Sequence, residues 1–224
     1  MQKTSIKSDR QFKKGLVIGK FYPPHKGHKH LIDTAASQCE QLTVIICDKA
    51  GQWIPGTLRE QWLKEIHPNV HVLRIDDTLD EDDTQAWAEN TIKWLNGSPD
   101  AVFSSEDYGP GYAEAMGAEH VMVDKMRITV PISGTKVRAN PFASWDYLEA
   151  PVKAYFTKRI CVLGAESTGT TTLSRDLAEH YKTVWAPEYG RTYSEAKIFN
   201  LNQTWTSDEF THISRMQSSM EDAL

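Results

Sequence analysis

The chain has 224 residues, 40% hydrophobic and 25% charged, with 13 Gly and 10 Pro, which is the composition of one large globular domain or one and a half ordinary ones. Its net charge of −5 gives no long-range attraction to nucleic acid or anionic membranes, so small-molecule chemistry is favoured. Runs such as 42–47 are far below the ~20 apolar residues that span a bilayer. No signal-peptide core follows the basic residues Lys3, Lys7, Arg10, Lys13 and Lys14, and Cys39, Cys47 and Cys161 lack CxxC spacing. A cytosolic protein with reduced thiols is expected.

Short apolar runs alternate with amphipathic stretches, which predicts an α/β fold built of βα units on a parallel sheet. Strands are predicted at residues 16–19, 42–47, 70–75, 101–104, 120–123 and 159–164. Between them, residues 57–66 place Leu58, Trp62 and Ile66 at four-residue spacing, and residues 84–95 gather Trp87, Thr91, Trp94 and Leu95 on one side of a helix. The acidic run Asp76, Asp77, Asp80, Glu81, Asp82 and Asp83 is read as a solvated loop in preference to a metal cage, its last members complementing the next helix dipole. Pro141, Trp145, Tyr147 and Pro151 mark a packed connector. Three regions are expected: a tail over 1–14, a first domain over 15–157 and a second over 158–224.

Directly after the first strand runs Gly19-Lys20-Phe21-Tyr22-Pro23-Pro24-His25-Lys26-Gly27-His28, followed by Leu31, Ile32, Ala35 and Ala36 at helical spacing. A strand that opens into a helix presents free N–H groups and a positive dipole end to a ligand, a natural phosphate site. Gly19 and Gly27 would admit a phosphate close to the backbone. His25 and His28, three residues apart, would both point at one anion. Alone, such a pair is better read as two ordinary surface or capping histidines; a zinc site would need ligands that no nearby Cys or His supplies at a convincing spacing. The pattern G-x-F-x-P-P-H-x-G-H resembles the HxGH signature of the nucleotidylyltransferase superfamily. Downstream, Ile132-Ser133-Gly134-Thr135-Lys136-Val137-Arg138 resembles that superfamily's I-S-x-T-x-x-R element.

The resemblance implies a Rossmann-like domain that transfers a nucleotidyl group from a triphosphate with loss of pyrophosphate. His25, His28 and Arg138 would be the catalytic groups. Gly19, Lys20, Phe21, Tyr22, Pro23, Gly27, Ser133, Thr135 and Lys136 would bind ATP, with Mg2+ carried mainly by phosphates and water and no protein metal cage. Two further segments, Trp53-Ile54-Pro55-Gly56-Thr57-Leu58-Arg59-Glu60-Gln61-Trp62-Leu63 and Phe103-Ser104-Ser105-Glu106-Asp107-Tyr108-Gly109, resemble the NadR-type nicotinamide mononucleotide adenylyltransferases. The acceptor would then be nicotinamide mononucleotide. Arg59 could hold its phosphate, Trp53 or Trp87 could stack on the pyridinium, and Ser104, Ser105 and Glu106 sit at a strand's carboxyl end, where crevice residues lie.

In the second domain, Gly164-Ala165-Glu166-Ser167-Thr168-Gly169-Thr170-Thr171-Thr172 follows the predicted strand 159–164 and precedes a helix, the frame of a Walker A loop. Gly164, Ser167, Thr168, Gly169 and Thr171 would form the phosphate loop, but Thr170 stands where the template has lysine. Trp185-Ala186-Pro187-Glu188-Tyr189-Gly190-Arg191 resembles the ribosylnicotinamide kinase part of the same family. A helix is expected over 207–223. The sixty-odd residues after 157 are fewer than a complete kinase domain uses, so this module is expected to be partial, with Phe199, Leu201, Phe210 and Ile213 exposed. Residues 1–14 are too few for the DNA-binding helix-turn-helix of some relatives, and repression is not expected. The alternatives are a chain acting mainly as ribosylnicotinamide kinase and a non-catalytic nicotinamide-nucleotide sensor; a homo-oligomer is compatible with either.

Overall fold

The computed structural model describes residues 10–197 and 204–224. Lys3, Lys7, Phe199 and Leu201 lie outside the described residues. The chain divides into two compact units, residues 1–157 and 158–224.

The first unit is built on a five-stranded parallel sheet of order β3-β2-β1-β4-β5. Its strands are β1 (Phe12–Gly19), β2 (Cys39–Asp48), β3 (His71–Asp76), β4 (Ala101–Ser104) and β5 (Glu119–Met122). Helices α1 (Lys26–Gln38), α2 (Gly56–Ile66), α3 (Thr84–Leu95) and α4 (Gly109–Ala115) follow the first four strands in turn. The predicted strands at 16–19 and 42–47 are extended toward their amino ends by four and three residues. Those extensions carry charged or polar side chains that hydropathy does not mark, yet they complete the ladder that pairs Phe12 with Cys39 and Lys14 with Gln41.

Strand alternation sorts the core onto two faces. Val17, Val44, Ile46 and Phe103 meet Leu31, Ile32 and Ala35 of α1 and Leu63 of α2. Leu16, Ile18, Ile45 and Val102 meet Ala88 of α3, Tyr112 and Ala113 of α4, and Met116, which caps α4. Both faces are therefore covered, which is why the strands read as continuous apolar runs. Each such fully buried Val, Leu or Ile contributes about 1.5–3 kcal/mol.

A third cluster unites Ile54, Trp62, Ile132, Val137, Leu148 and Val152, joining α2 to α5 (Gly134–Ala139) and α6 (Ala150–Phe156). Trp145 and Tyr147 pack against it, so residues 141–151 form the packed connector that their composition suggests. Cys39 and Cys47 are buried free thiols, pushed up to about 11 and about 12 by burial, while Cys161 is exposed.

The second unit contains α7 (Thr170–Tyr181), α8 (Tyr189–Lys197) and α9 (Ser207–Asp222). Helix α9 begins with a capping box between Thr206 and Glu209. The strand expected at 159–164 does not form: these residues have no ladder partner, and Ile160 and Leu163 are 77% and 85% exposed. A strand needs a hydrogen-bonded neighbour, and among the described residues of this unit there is none. Phe210 is exposed at 59%, whereas Ile213 is half-buried.

Candidate active site

Strands β2 and β4 both pair with β1, so the chain leaves the centre of the sheet in opposite directions and a crevice opens at the carboxyl ends. A cavity of about 650 Å³ lies there. Gly19 ends β1 at its floor, and the following loop delivers Lys20, Phe21, Tyr22 and His25 to its wall before α1 begins.

His25 caps α1. Its extended backbone ends the loop, and its Nδ1 accepts the His28 N–H at 3.3 Å. An accepting Nδ1 leaves the proton of the neutral ring on Nε2, so the cap fixes the tautomer. The two imidazoles stack with centroids 3.7 Å apart and planes inclined by 16°. Gly27 makes this possible: a Cβ there would lie 3.0 Å from the His25 Nδ1. Its smallness thus serves the histidine packing, a different reason from the phosphate approach inferred from sequence. Burial first, then the field of Arg127, lowers His25 to about 4. Burial, His25 and Arg127 in that order push His28 well below its ordinary value. Both rings are therefore neutral at pH 7. The first turn of α1 carries no acidic residue, so its positive dipole end remains available to an anion.

Arg138 faces the same cavity from α5. Its Nη1 donates to the Tyr22 carbonyl at 2.5 Å, its Nη2 to the Thr135 hydroxyl at 3.2 Å, and its guanidinium lies 4.8 Å from the Tyr22 ring centroid. Ser133 caps α5 by accepting the Lys136 N–H. Gly134 is required at this point, because a Cβ would lie 2.8 Å from the Tyr22 carbonyl oxygen and 3.1 Å from Arg138 Nη1.

The cavity brings together His25, His28 and Arg138 with Gly19, Lys20, Phe21, Tyr22, Gly27, Ser133 and Thr135, and adds Trp87, Ser105 and Glu106. Other sequence-derived candidates do not line it. Arg59 is fully buried: its Nη2 meets Asp48 at 2.6 Å and its Nη1 donates to the Lys20 and Cys47 carbonyls, so it braces the loop from behind. Trp53 is 53% exposed and stacks on Tyr155 at 6.2 Å, while its backbone N–H donates to the Tyr22 hydroxyl. Ser104 is buried against His120 Nε2 at 2.9 Å. Pro23 and Lys136 also lie outside the lining.

Several lining residues escaped sequence reasoning: Glu81, Tyr108, Asp124 and Arg127. Glu81, set aside as part of a solvated loop, bridges Lys20 and Lys49 at 2.8 Å each, and these two ammonium groups hold its carboxyl down to about 2. Tyr108 sends its hydroxyl to the Ile18 carbonyl at 3.0 Å; it stood within a recognised segment without being singled out. Asp124 and Arg127 belong to no motif, and their position just after β5 was the available signal. Asp83 caps α3 through the Ala86 N–H, as the dipole argument implied for the end of the acidic run. Among the described residues, no group of three or more His, Cys, Asp or Glu is arranged to hold a metal ion.

In the second unit, Gly169 adopts φ +86 at the start of α7, and the Thr168 hydroxyl closes the turn on the Ala165 carbonyl at 2.6 Å. Arg191 reaches the Thr171 hydroxyl at 3.5 Å.

A parallel α/β sheet with its cavity at the carboxyl ends defines the first unit as an open α/β fold of the class that binds ligands at that edge, and a family described as an AAA domain matches residues 159–223. The chain is 35% identical over 204 residues to the trifunctional NAD biosynthesis/regulator protein NadR of Escherichia coli (strain K12), covering 80% of this chain and 49% of that protein. To the Salmonella typhimurium NadR it is 34% identical over 207 residues, covering 82% and 50%. Among solved structures, NadR in complex with NR matches with a TM-score of 0.69 at 25% identity over 84% of this chain and 57% of the other. NadR in complex with NAD and AMP-PNP matches with a TM-score of 0.73 at 23% identity over 94% and 65%. The chain is thus NadR-like over four-fifths of its length and spans about half the length of these relatives. Among the described residues no helix is long and apolar enough to cross a membrane.

Proposed function

We propose that the first unit transfers the adenylyl group of ATP to nicotinamide mononucleotide, giving NAD and pyrophosphate. The observation that carries this reading is the convergence of His25, His28 and Arg138 on one cavity at the amino end of α1. Similarity to NadR, described as an NAD biosynthesis protein, supports the choice of acceptor.

In this reaction a phosphate oxygen of the mononucleotide attacks the α-phosphorus of ATP. The bond between that phosphorus and the oxygen bridging to the β-phosphate breaks, and pyrophosphate departs with the electron pair. No protein nucleophile is needed; the protein must align two anions and stabilise the charge growing on the leaving group. The Nε2–H of His25 donates a hydrogen bond to the phosphates. His28, whose buried Nδ1 has no hydrogen-bond partner among the described residues, stands beside it, and the anion favours the protonated form of either ring. Arg138 and Lys20 supply fixed positive charge, and Trp87 offers an indole face in the cavity wall for the pyridinium. ATP is treated as its magnesium complex, the metal entering as part of the substrate. For residues 158–224 we propose nucleotide-phosphate binding by the 164–171 loop as part of a ribosylnicotinamide kinase module, a reading favoured by the AAA-domain match.

Mass-resolved product analysis with ATP and a panel of phosphate acceptors tests the first activity. NAD should form with nicotinamide mononucleotide, and His28→Ala should lower the rate about 10²–10³-fold, the usual effect of losing one transition-state donor. Full activity in His28→Ala would remove the histidine pair from the mechanism, and adenylylation of a different acceptor alone would replace the substrate.

A further inference from the structure

The loop between β5 and α5 contains a construction that neither the motifs nor the reaction scheme accounts for. Asp124 and Arg127 both adopt left-handed backbone conformations, φ +46 and +51, although neither is glycine. The Asp124 carboxylate maintains them. Its Oδ1 accepts the N–H groups of Ile128 and Thr129 at 2.8 and 3.1 Å, its Oδ2 accepts that of Val130 at 3.1 Å, and its own carbonyl accepts the Arg127 N–H at 2.8 Å. Desolvation opposes ionisation of this carboxyl, yet the three backbone donors hold it below its ordinary value, so the clamp persists through the neutral range. Strained backbone held by a dedicated clamp marks a segment shaped for a task. The outcome of the shape is that Arg127 lines the cavity.

There, among the described residues, Arg127 has one side-chain hydrogen-bond partner, the Glu106 carboxylate at 2.9 Å, and both groups remain about half exposed. A second pair, Lys125 with Asp107, joins the same two loops. Arg138, by contrast, has one edge committed to the Tyr22 carbonyl and the Thr135 hydroxyl. Arg127 lines the same cavity as the histidine pair, and its field adds to the burial that lowers both. A planar guanidinium held by a single contact to an exposed carboxylate oxygen can exchange it for a phosphate, which its fork can meet with two oxygens.

We propose that Arg127 is a ligand of the ATP triphosphate and that Glu106 is the partner it leaves when the nucleotide enters. The identity of the phosphate rests on the adenylyl-transfer reading; the displacement of Glu106 by a polyphosphate anion does not. Lys20, also in the cavity lining, repeats the arrangement with Glu81.

Calorimetric titration of the full chain with MgATP and with inorganic tripolyphosphate, in the absence of acceptor, tests this. Arg127→Ala should weaken both ligands 10- to 100-fold, and Arg127→Lys, which keeps the charge and loses the fork, should fall between. Glu106→Gln should tighten both ligands 3- to 10-fold, an effect that structural damage would not produce, and should do nothing further in the Arg127→Ala background. The urea midpoint should be the same in all variants, because the pair is exposed. Wild-type affinity in Arg127→Ala, or weaker binding in Glu106→Gln, would overturn the proposal. Arg127-dependent tripolyphosphate binding without NAD formation would retain the phosphate ligand and discard adenylyl transfer. A wild-type chain that binds neither anion would discard both.

Discussion

Acid should loosen the first unit through His25, and the size of the effect follows from its burial. In the unfolded chain this imidazole takes up a proton near pH 6.5; in the folded protein it stays neutral down to about 4. Between those values the unfolded state holds more protons, so the stability His25 contributes is complete above pH 6.5 and is lost as the pH falls toward 4. At pH 5 the loss relative to pH 7.5 is about 2 kcal/mol, since each unit of separation is worth about 1.4 kcal/mol and the window is then three-fifths traversed. His28, His67 and His120 are also lowered and act in the same direction, so the wild-type slope exceeds the share of one residue.

His25→Asn isolates that share. Asparagine keeps an acceptor at the N-cap for the His28 N–H but does not titrate. Urea unfolding followed by tryptophan fluorescence is a suitable assay, because Trp53, Trp62, Trp87, Trp94 and Trp145, five of the seven tryptophans, lie in the unit that holds His25. The variant should lie within about 1 kcal/mol of wild type at pH 7.5. Between pH 7.5 and 5 it should lose about 2 kcal/mol less than wild type. Equal losses would refute the claim that His25 is held neutral by burial.

Arg59→Ala should cost about 3–5 kcal/mol of stability, because Asp48 is left with only part of its cationic environment and the Lys20 carbonyl loses its donor; a thermal or urea midpoint measures it, and a change in acceptor KM at unaltered stability would restore Arg59 as a phosphate ligand. Gly134→Ala should lower stability by about 1–2 kcal/mol, and activity with it, because the new methyl meets the Tyr22 carbonyl and the Arg138 guanidinium and weakens a charge-assisted hydrogen bond between them; a stabilised variant with normal turnover, as helix propensity alone would give, would contradict it.

The α/β class and the order of elements in the first unit were legible in the sequence because burial on both faces writes itself as uninterrupted apolar strands, and the helices between them carry one apolar stripe. Residues 84–95 were placed as α3 to the residue, since Asp83 supplies a cap and the period is clear. The His25, Gly27 and His28 arrangement was equally visible, because its residues are local in sequence and their chemistry is carried by spacing. Strand 159–164 was read on the same apolar signal and did not form, because a strand depends on a partner that its own sequence does not contain.

Tertiary structure alone decided which polar groups face the cavity. Arg59, on α2 after β2, and Arg127, in the loop after β5, are the same residue type at the carboxyl ends of one sheet. One is sealed under Asp48 and the Lys20 carbonyl, the other is turned into the opening by the Asp124 carboxylate, which clamps the N–H groups of Ile128, Thr129 and Val130. Periodicity records whether a side chain is buried or exposed on its own element; it carries no information about the partner contributed from elsewhere in the chain. A charged group's role is set by that partner, through the desolvation it imposes and the hydrogen bonds it takes up.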